Sequence, residues 1–191
     1  MTKYILHGGH TSNPSESNKR FFAEIVPDIE KQVTILLVYF SRKKGEWPQL
    51  FEQDKKHFLE RAKFNQSPKF ILAEDNPETF TQQVRLADTI YMRGGRKFHL
   101  IEFMKGIKNP KELFEGKIIA GSSMGAYAIS KYFYSNDEDN VEKGAGFLPI
   151  KTFAHYDDSK ADKLKKLKEY GEDLKVYTIP EEKFVVIPMH N

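Results

Sequence analysis

The chain has 191 residues, 39% of them hydrophobic and 13% aromatic, which is enough apolar surface for a packed core and excludes a disordered protein. It has no cysteine, which excludes a disulfide framework, a thiolate metal centre and a cysteine nucleophile. Lys and Arg number 30 against 27 Asp and Glu, and a net charge of +3 is too small to mark a nucleic-acid binder.

Residues 3–6 form a short apolar run that ends at Gly8-Gly9. This run is much shorter than the apolar region of about 7–15 residues that a signal peptide requires. Residues 15–25 place Phe21, Phe22 and Ile25 on one side and charges on the other, the pattern of an amphipathic helix. Residues 33–40 are β-branched, leucine or aromatic almost throughout and read as a strand covered on both faces. They fall far short of the roughly 20 residues needed to span a bilayer, so a soluble cytoplasmic protein with no membrane partner is expected. A helix follows at 47–64, a strand at 69–73, and a helix at 77–87 with Pro77 in its first turn. Residues 89–92 form a strand ending at Gly94-Gly95, 98–104 a helix, 117–120 a strand ending at Gly121, and 124–132 a helix. Beyond Tyr134 come a strand at 147–153, a lysine-rich helix at 160–170 and a closing hairpin of 176–179 with 184–187.

This alternation predicts an α/β fold, a three-layer α/β/α sandwich around a mostly parallel sheet, in one domain over residues 1–191. Ligands of such sheets sit beyond the carboxyl ends of the strands. Three strands end there in glycine turns, at Gly8-Gly9, Gly94-Gly95 and Gly121-Ser122-Ser123-Met124-Gly125, so one rim gathers them.

The third turn fits Gly-x-Ser-x-Gly between a strand and a helix, the setting of a nucleophile elbow. A tight turn exposes the Ser123 hydroxyl, and small neighbours let strand and helix approach. The Met124 N–H is then a candidate oxyanion donor. A serine nucleophile needs a base. Of six histidines, His57 and His99 fall in predicted helices and His190 lies beside the last residue. His155, at the end of the 147–153 strand, is the preferred base. Asp137, Glu138, Asp139, Asp157 and Asp158 are all candidates for the orienting acid, and spacing does not choose among them. There is no His-Glu-x-x-His pattern, no nucleotide-binding glycine fingerprint and no phosphate-binding lysine loop, so neither metal nor cofactor is expected.

The elbow Gly-Ser-Ser-Met-Gly-Ala, the segment Arg93-Gly94-Gly95-Arg96-Lys97-Phe98-His99-Leu100-Ile101 and the later stretch 147–155 resemble peptidase family S51, the dipeptidase E (aspartyl dipeptidase) and cyanophycinase group. The resemblance covers most of the chain. It implies a flavodoxin-like fold related to class I glutamine amidotransferases with serine in place of cysteine, Ser123 as nucleophile and His155 as base. Ser135-Asn136-Asp137 matches the family's acidic position, which implies Asp137 as third member of a triad. It also implies a backbone oxyanion donor at Gly94 or Gly95. The loop reads Arg-Gly-Gly-Arg where members of the family commonly have Gly-Gly-Gly-Asn, and the elbow carries Met124 where alanine is usual.

The expected activity is hydrolysis of small peptides by a monomer or homodimer through an acyl-enzyme. Arg93 and Arg96, with Lys97, are expected to bind an acidic substrate group such as an N-terminal Asp. Two other readings stand beside this one. One is an α/β-hydrolase esterase, against which the close spacing of Ser123 and His155 argues. The other is a non-catalytic anion-binding protein.

Overall fold

A computed structural model describes residues 1–96 and 98–188. The elements in chain order are β1 Lys3–His7, α1 Glu16–Glu24, β2 Thr34–Val38, α2 Trp47–Arg61, β3 Lys69–Leu72, α3 Pro77–Leu86, β4 Thr89–Met92, α4 His99–Lys105, α5 Pro110–Leu113 and β5 Ile118–Ser122. They continue with α6 Met124–Ile129, β6 Ser130–Ser135, β7 Asn140–Lys143, β8 Leu148–Ala154, α7 Ala161–Glu169, β9 Val176–Ile179 and β10 Phe184–Pro188.

Six strands make the main sheet, in the order β10-β1-β5-β4-β2-β3. All neighbours are parallel except β10, which runs antiparallel to β1. The predicted α/β fold with a mostly parallel central sheet is therefore present. β2 lies between β4 and β3 and buries Ile35, Leu36, Leu37 and Val38 completely, as its unbroken apolar run requires. Phe21 and Phe22 of α1 and Phe58 of α2 pack on Tyr91 of β4 with ring centroids 6.0–6.1 Å apart. Each such fully buried aromatic contributes on the order of 1.5–3 kcal/mol. Helix starts follow their sequence signals. Ser15 caps α1 by accepting from the Asn18 N–H, and Asn76 caps α3 by accepting from Glu78 and Thr79 ahead of Pro77.

Two expectations are corrected. The helix predicted over 124–132 stops at Ile129, and Ser130 begins β6. Tyr132, Phe133 and Tyr134 have aromatic strand preference, and pairing with β7 and β8 outweighs a further helical turn. The closing hairpin does not form either. β9 joins β8 in a second sheet, ordered β7-β6-β8-β9, while β10 crosses to the main sheet and pairs with β1.

The second sheet positions the site. β6, β8 and β9 are mutually parallel, so residues just after Ser135, Ala154 and Ile179 share one rim. That rim meets the carboxyl ends of β1, β2, β4 and β5, and a cavity of about 580 Å³ lies between the two. No helix among the described residues is long and apolar enough to cross a membrane.

Candidate active site

Ser123 follows β5 directly and precedes the first residue of α6. Its backbone sits at φ 50° and ψ −112°, a conformation that costs a non-glycine residue about 1–3 kcal/mol. The surroundings enforce it. The Ser123 N–H donates to the His7 carbonyl at 2.9 Å, and its own carbonyl accepts from Tyr127 at 3.0 Å. Gly125 lies against the Met92 carbonyl so closely that any side chain there would collide with backbone. The local sequence thus folds into a strained turn that lifts one hydroxyl to the cavity wall.

That hydroxyl meets His155. Ser123 Oγ and His155 Nε2 are 2.9 Å apart, and the imidazole is half-buried. His155 also has positive φ, 55°, in the turn that ends β8. Its N–H donates to the Gly8 carbonyl at 3.0 Å, and its ring lies on Gly9, which has φ 114° and no room for a Cβ. Tyr127 donates its hydroxyl to the carbonyl of Ala154 and holds the strand end before His155.

On the far side of the imidazole, Nδ1 is 3.1 Å from Glu181 Oε1. Asp137 is not the hydrogen-bond partner of His155, contrary to expectation. It lies exposed on the wall of the same cavity, after β6, and among the described residues makes no side-chain hydrogen bond to the imidazole. Two of the other candidate acids are engaged elsewhere. Asp139 pairs with Lys163 at 2.7 Å and accepts from Tyr134, while Asp157 pairs with Lys160 and caps the turn at Asp158–Lys160. Glu181 comes from the turn between β9 and β10, so it enters the site because these two strands part into different sheets. The turn is pinned to the first glycine loop, since the Glu182 N–H donates to the Gly9 carbonyl at 3.0 Å. One two-residue segment, Gly8-Gly9, therefore holds both His155 and the turn that carries Glu181.

That segment is itself anchored by a buried histidine. His7 Nδ1 accepts from the Gly9 N–H at 3.0 Å, which leaves its proton on Nε2 for Asn18 Oδ1 at 2.9 Å. Burial holds the His7 pKa down to about 4, against the opposing pull of the Asn18 hydrogen bond. Asn18 in turn donates to the carbonyls of His10 and Asn13 and closes the loop.

The opposite wall carries the Gly94-Gly95 turn. The Gly94 N–H is taken by Ser122 Oγ at 3.0 Å. The Gly95 N–H has no acceptor among the described residues, and neither has that of Met124, the first residue of α6. Arg42 Nε donates to the Gly94 carbonyl at 2.6 Å. Carbonyl and N–H point in opposite directions across a trans peptide, so this bond fixes the direction of the Gly95 N–H. Arg42 was missed in the sequence because it follows β2 without any motif.

The two predicted substrate-binding arginines behave differently. Arg96 is exposed on the cavity wall. Arg93 also borders the cavity but is buried, and its guanidinium is committed to Asp54 at 2.7 Å and to Ser12 and Gln53 at 2.9 Å each. Burial pushes the Asp54 carboxyl up against the pull of Arg93. Burial also lowers Arg93, but Asp54, Tyr91 and Tyr39 more than offset this, and its pKa ends raised. Arg93 therefore braces the loop from behind and is not a free cation. Lys97 and His190 lie outside the described residues.

A family model described as Peptidase family S51 matches residues 5–190. No curated protein matches the chain in sequence. Among solved structures, the chain resembles a peptidase from an acI-B1 actinobacterium at TM-score 0.67 and 18% identity, over 98% of this chain and 83% of that one. It resembles a candidate peptidase E from Listeria monocytogenes EGD-e at TM-score 0.66 and 19% identity, over 98% of this chain and 94% of that one. At these identities the two structures establish the fold.

Proposed function

Because the chain belongs to peptidase family S51 and is a serine peptidase, we propose that it hydrolyses short peptides through Ser123, His155 and Glu181, with residues 1–191 acting as one domain. The observation that carries this reading is the 2.9 Å contact between Ser123 Oγ, raised on a strained elbow, and His155 Nε2. Ser123 attacks the scissile carbonyl as Nε2 takes its proton. The oxyanion is held by the N–H groups of Gly95 and Met124. His155 returns the proton to the leaving amine, and water, activated by the same imidazole, then cleaves the acyl-enzyme. Glu181 keeps the Nδ1 proton in place and stabilises the imidazolium, the part that the family resemblance had given to Asp137.

The cavity walls support an acidic first residue in the substrate. Arg42 and Arg96 stand on one wall, and the exposed carboxylate of Asp137 stands on the lining to meet a free α-ammonium group. Arg93 is excluded from direct binding by its ion pair. The test is a dipeptide panel contrasting Asp-Leu with Asn-Leu. The acidic peptide is cleaved faster, by about tenfold, and Arg96→Ala lowers that preference severalfold. A preference for the neutral peptide, or an acidic preference unchanged in Arg96→Ala and Arg42→Ala alike, overturns the assignment of substrate charge.

A further inference from the structure

Three side chains from distant parts of the chain converge outside the elbow. His10 Nδ1 lies 3.4 Å from Glu181 Oε2, and His155 Nδ1 lies 3.1 Å from Glu181 Oε1. The donor atoms of His10, His155 and Glu181 all lie within 4.8 Å of one another. The two imidazole rings meet edge to face with centroids 5.7 Å apart. We propose that these three residues form a binding site for a divalent transition-metal ion, zinc in particular, and that the bound ion reversibly blocks the peptidase. The binding half stands on the geometry alone. The blocking half rests on His155 being the general base.

The donor set suits such an ion. Two imidazoles and one carboxylate are the ligands zinc takes at three-ligand sites that keep a fourth position for water. Magnesium and calcium prefer all-oxygen sites and are disfavoured here. At zinc–donor distances of about 2.0–2.2 Å, the corners of a tetrahedron stand roughly 3.3–3.6 Å apart. One carboxylate oxygen stands near that spacing from His155, at 3.1 Å, and the other from His10, at 3.4 Å. Small side-chain rotations suffice to complete the set, and half-exposed His10 and Glu181 are free to make them. Charge is favourable as well. With two neutral imidazoles, the Glu181 carboxylate offsets one of the two positive charges of the ion.

The block follows from proton placement. For catalysis the neutral imidazole of His155 must carry its proton on Nδ1, towards Glu181, so that the Nε2 lone pair faces Ser123. A metal on Nδ1 displaces that proton. The neutral ring then carries its one proton on Nε2 and can no longer accept from the Ser123 hydroxyl. The ion also takes the carboxylate that stabilises the imidazolium. No bond to carbon forms or breaks, and a chelator reverses the state.

This site is not legible in the sequence, because the ligands come from the β1, β8 and β9 ends with no fixed spacing. The test uses untagged Ser123→Ala protein titrated with zinc chloride in a calorimeter, with magnesium chloride as control. One zinc binds per chain and magnesium does not. Adding His10→Ala weakens zinc binding by more than about tenfold, since even supporting partners of metal ligands are worth 10–100-fold. Circular dichroism confirms that this variant is folded, and Glu181→Gln gives a second variant with the same expected loss. The absence of saturable zinc binding, or binding unchanged in both variants, overturns the site. On wild type, zinc at the concentrations that saturate the site abolishes labelling of Ser123 by a fluorophosphonate, and EDTA restores it. Saturated protein that still labels at the full rate overturns the block. Wild type that fails to label without zinc counts against the peptidase reading and leaves the calorimetric result to decide the site.

Discussion

The two halves of the proposed catalytic cleft are built by different means. On the nucleophile side, Ser122, Gly94, Arg93 and Asp54 are buried and joined by hydrogen bonds, and the Ser123 elbow is set by a strand and helix adjacent in sequence. On the base side, His10 and Glu181 are exposed and His155 is half-buried. The base side belongs to three separate strand ends, which the Gly8-Gly9 backbone helps to tie together. One half is a local strand–turn–helix unit set in a buried hydrogen-bonded network, and the other is a meeting of exposed strand ends. Perturbing the first should change the chemical step, whereas perturbing the second should change proton placement and sensitivity to solution conditions.

The largest contrast should come from the acids. Glu181→Gln should lower kcat by about 10³–10⁴-fold, the cost of losing the carboxylate that fixes the tautomer of the base. Asp137→Asn should leave kcat within severalfold and act chiefly on KM. Steady-state kinetics on one dipeptide decides between them, and the reverse ranking would return Asp137 to the third position.

A second test concerns the anchor of the base side. His7 is buried neutral with its pKa depressed to about 4, while an unfolded histidine titrates near 6.5. Between these values the unfolded chain binds the extra proton and the folded chain does not, so stability rises with pH. The contribution of His7 is fully present above about pH 6.5 and is lost on acidification towards pH 4, on the order of 3 kcal/mol in total. Urea denaturation across this window should show a flatter pH dependence for His7→Gln than for wild type, whatever the variant's absolute stability. Equal slopes would remove His7 from this role.

The third and smallest effect probes the nucleophile side. Arg42→Met removes the charged donor from the Gly94 carbonyl and frees the peptide that carries the proposed Gly95 oxyanion donor. A fall in kcat of about 10–100-fold is expected on a neutral dipeptide, where Arg42 has no acidic side chain to recognise. A change confined to KM would make Arg42 a binding residue only.

The same contrast explains what could be read from the sequence. The strand 89–92, the central strand around 34–38 and the elbow at Ser123 were legible because periodicity and turn chemistry are local signals. His155 was legible as a histidine at a strand end. Glu181 was not, because it sits in a Pro-Glu-Glu-Lys turn that reads as a solvated loop. Its place depends on β9 and β10 parting into different sheets, and hairpin-like spacing concealed that. The stretch from Ser130 to Tyr132, which the sequence pattern assigns to a helix, is strand for a related reason. Its conformation is decided by pairing with β7 and β8 and by the buried bond between Ser130 and Thr152. Arg93 carried a charge whose partner, Asp54, is remote in sequence, so its commitment to the interior was invisible.

The most direct test of the account is covalent labelling with a fluorophosphonate, read by mass spectrometry of intact and digested protein. Wild type should take up one probe per chain on Ser123, Ser123→Ala should take up none, and Glu181→Gln should react far more slowly than Asp137→Asn. A wild-type protein that remains unlabelled, or one labelled on a serine other than Ser123, would contradict the assignment of an activated nucleophile at the elbow.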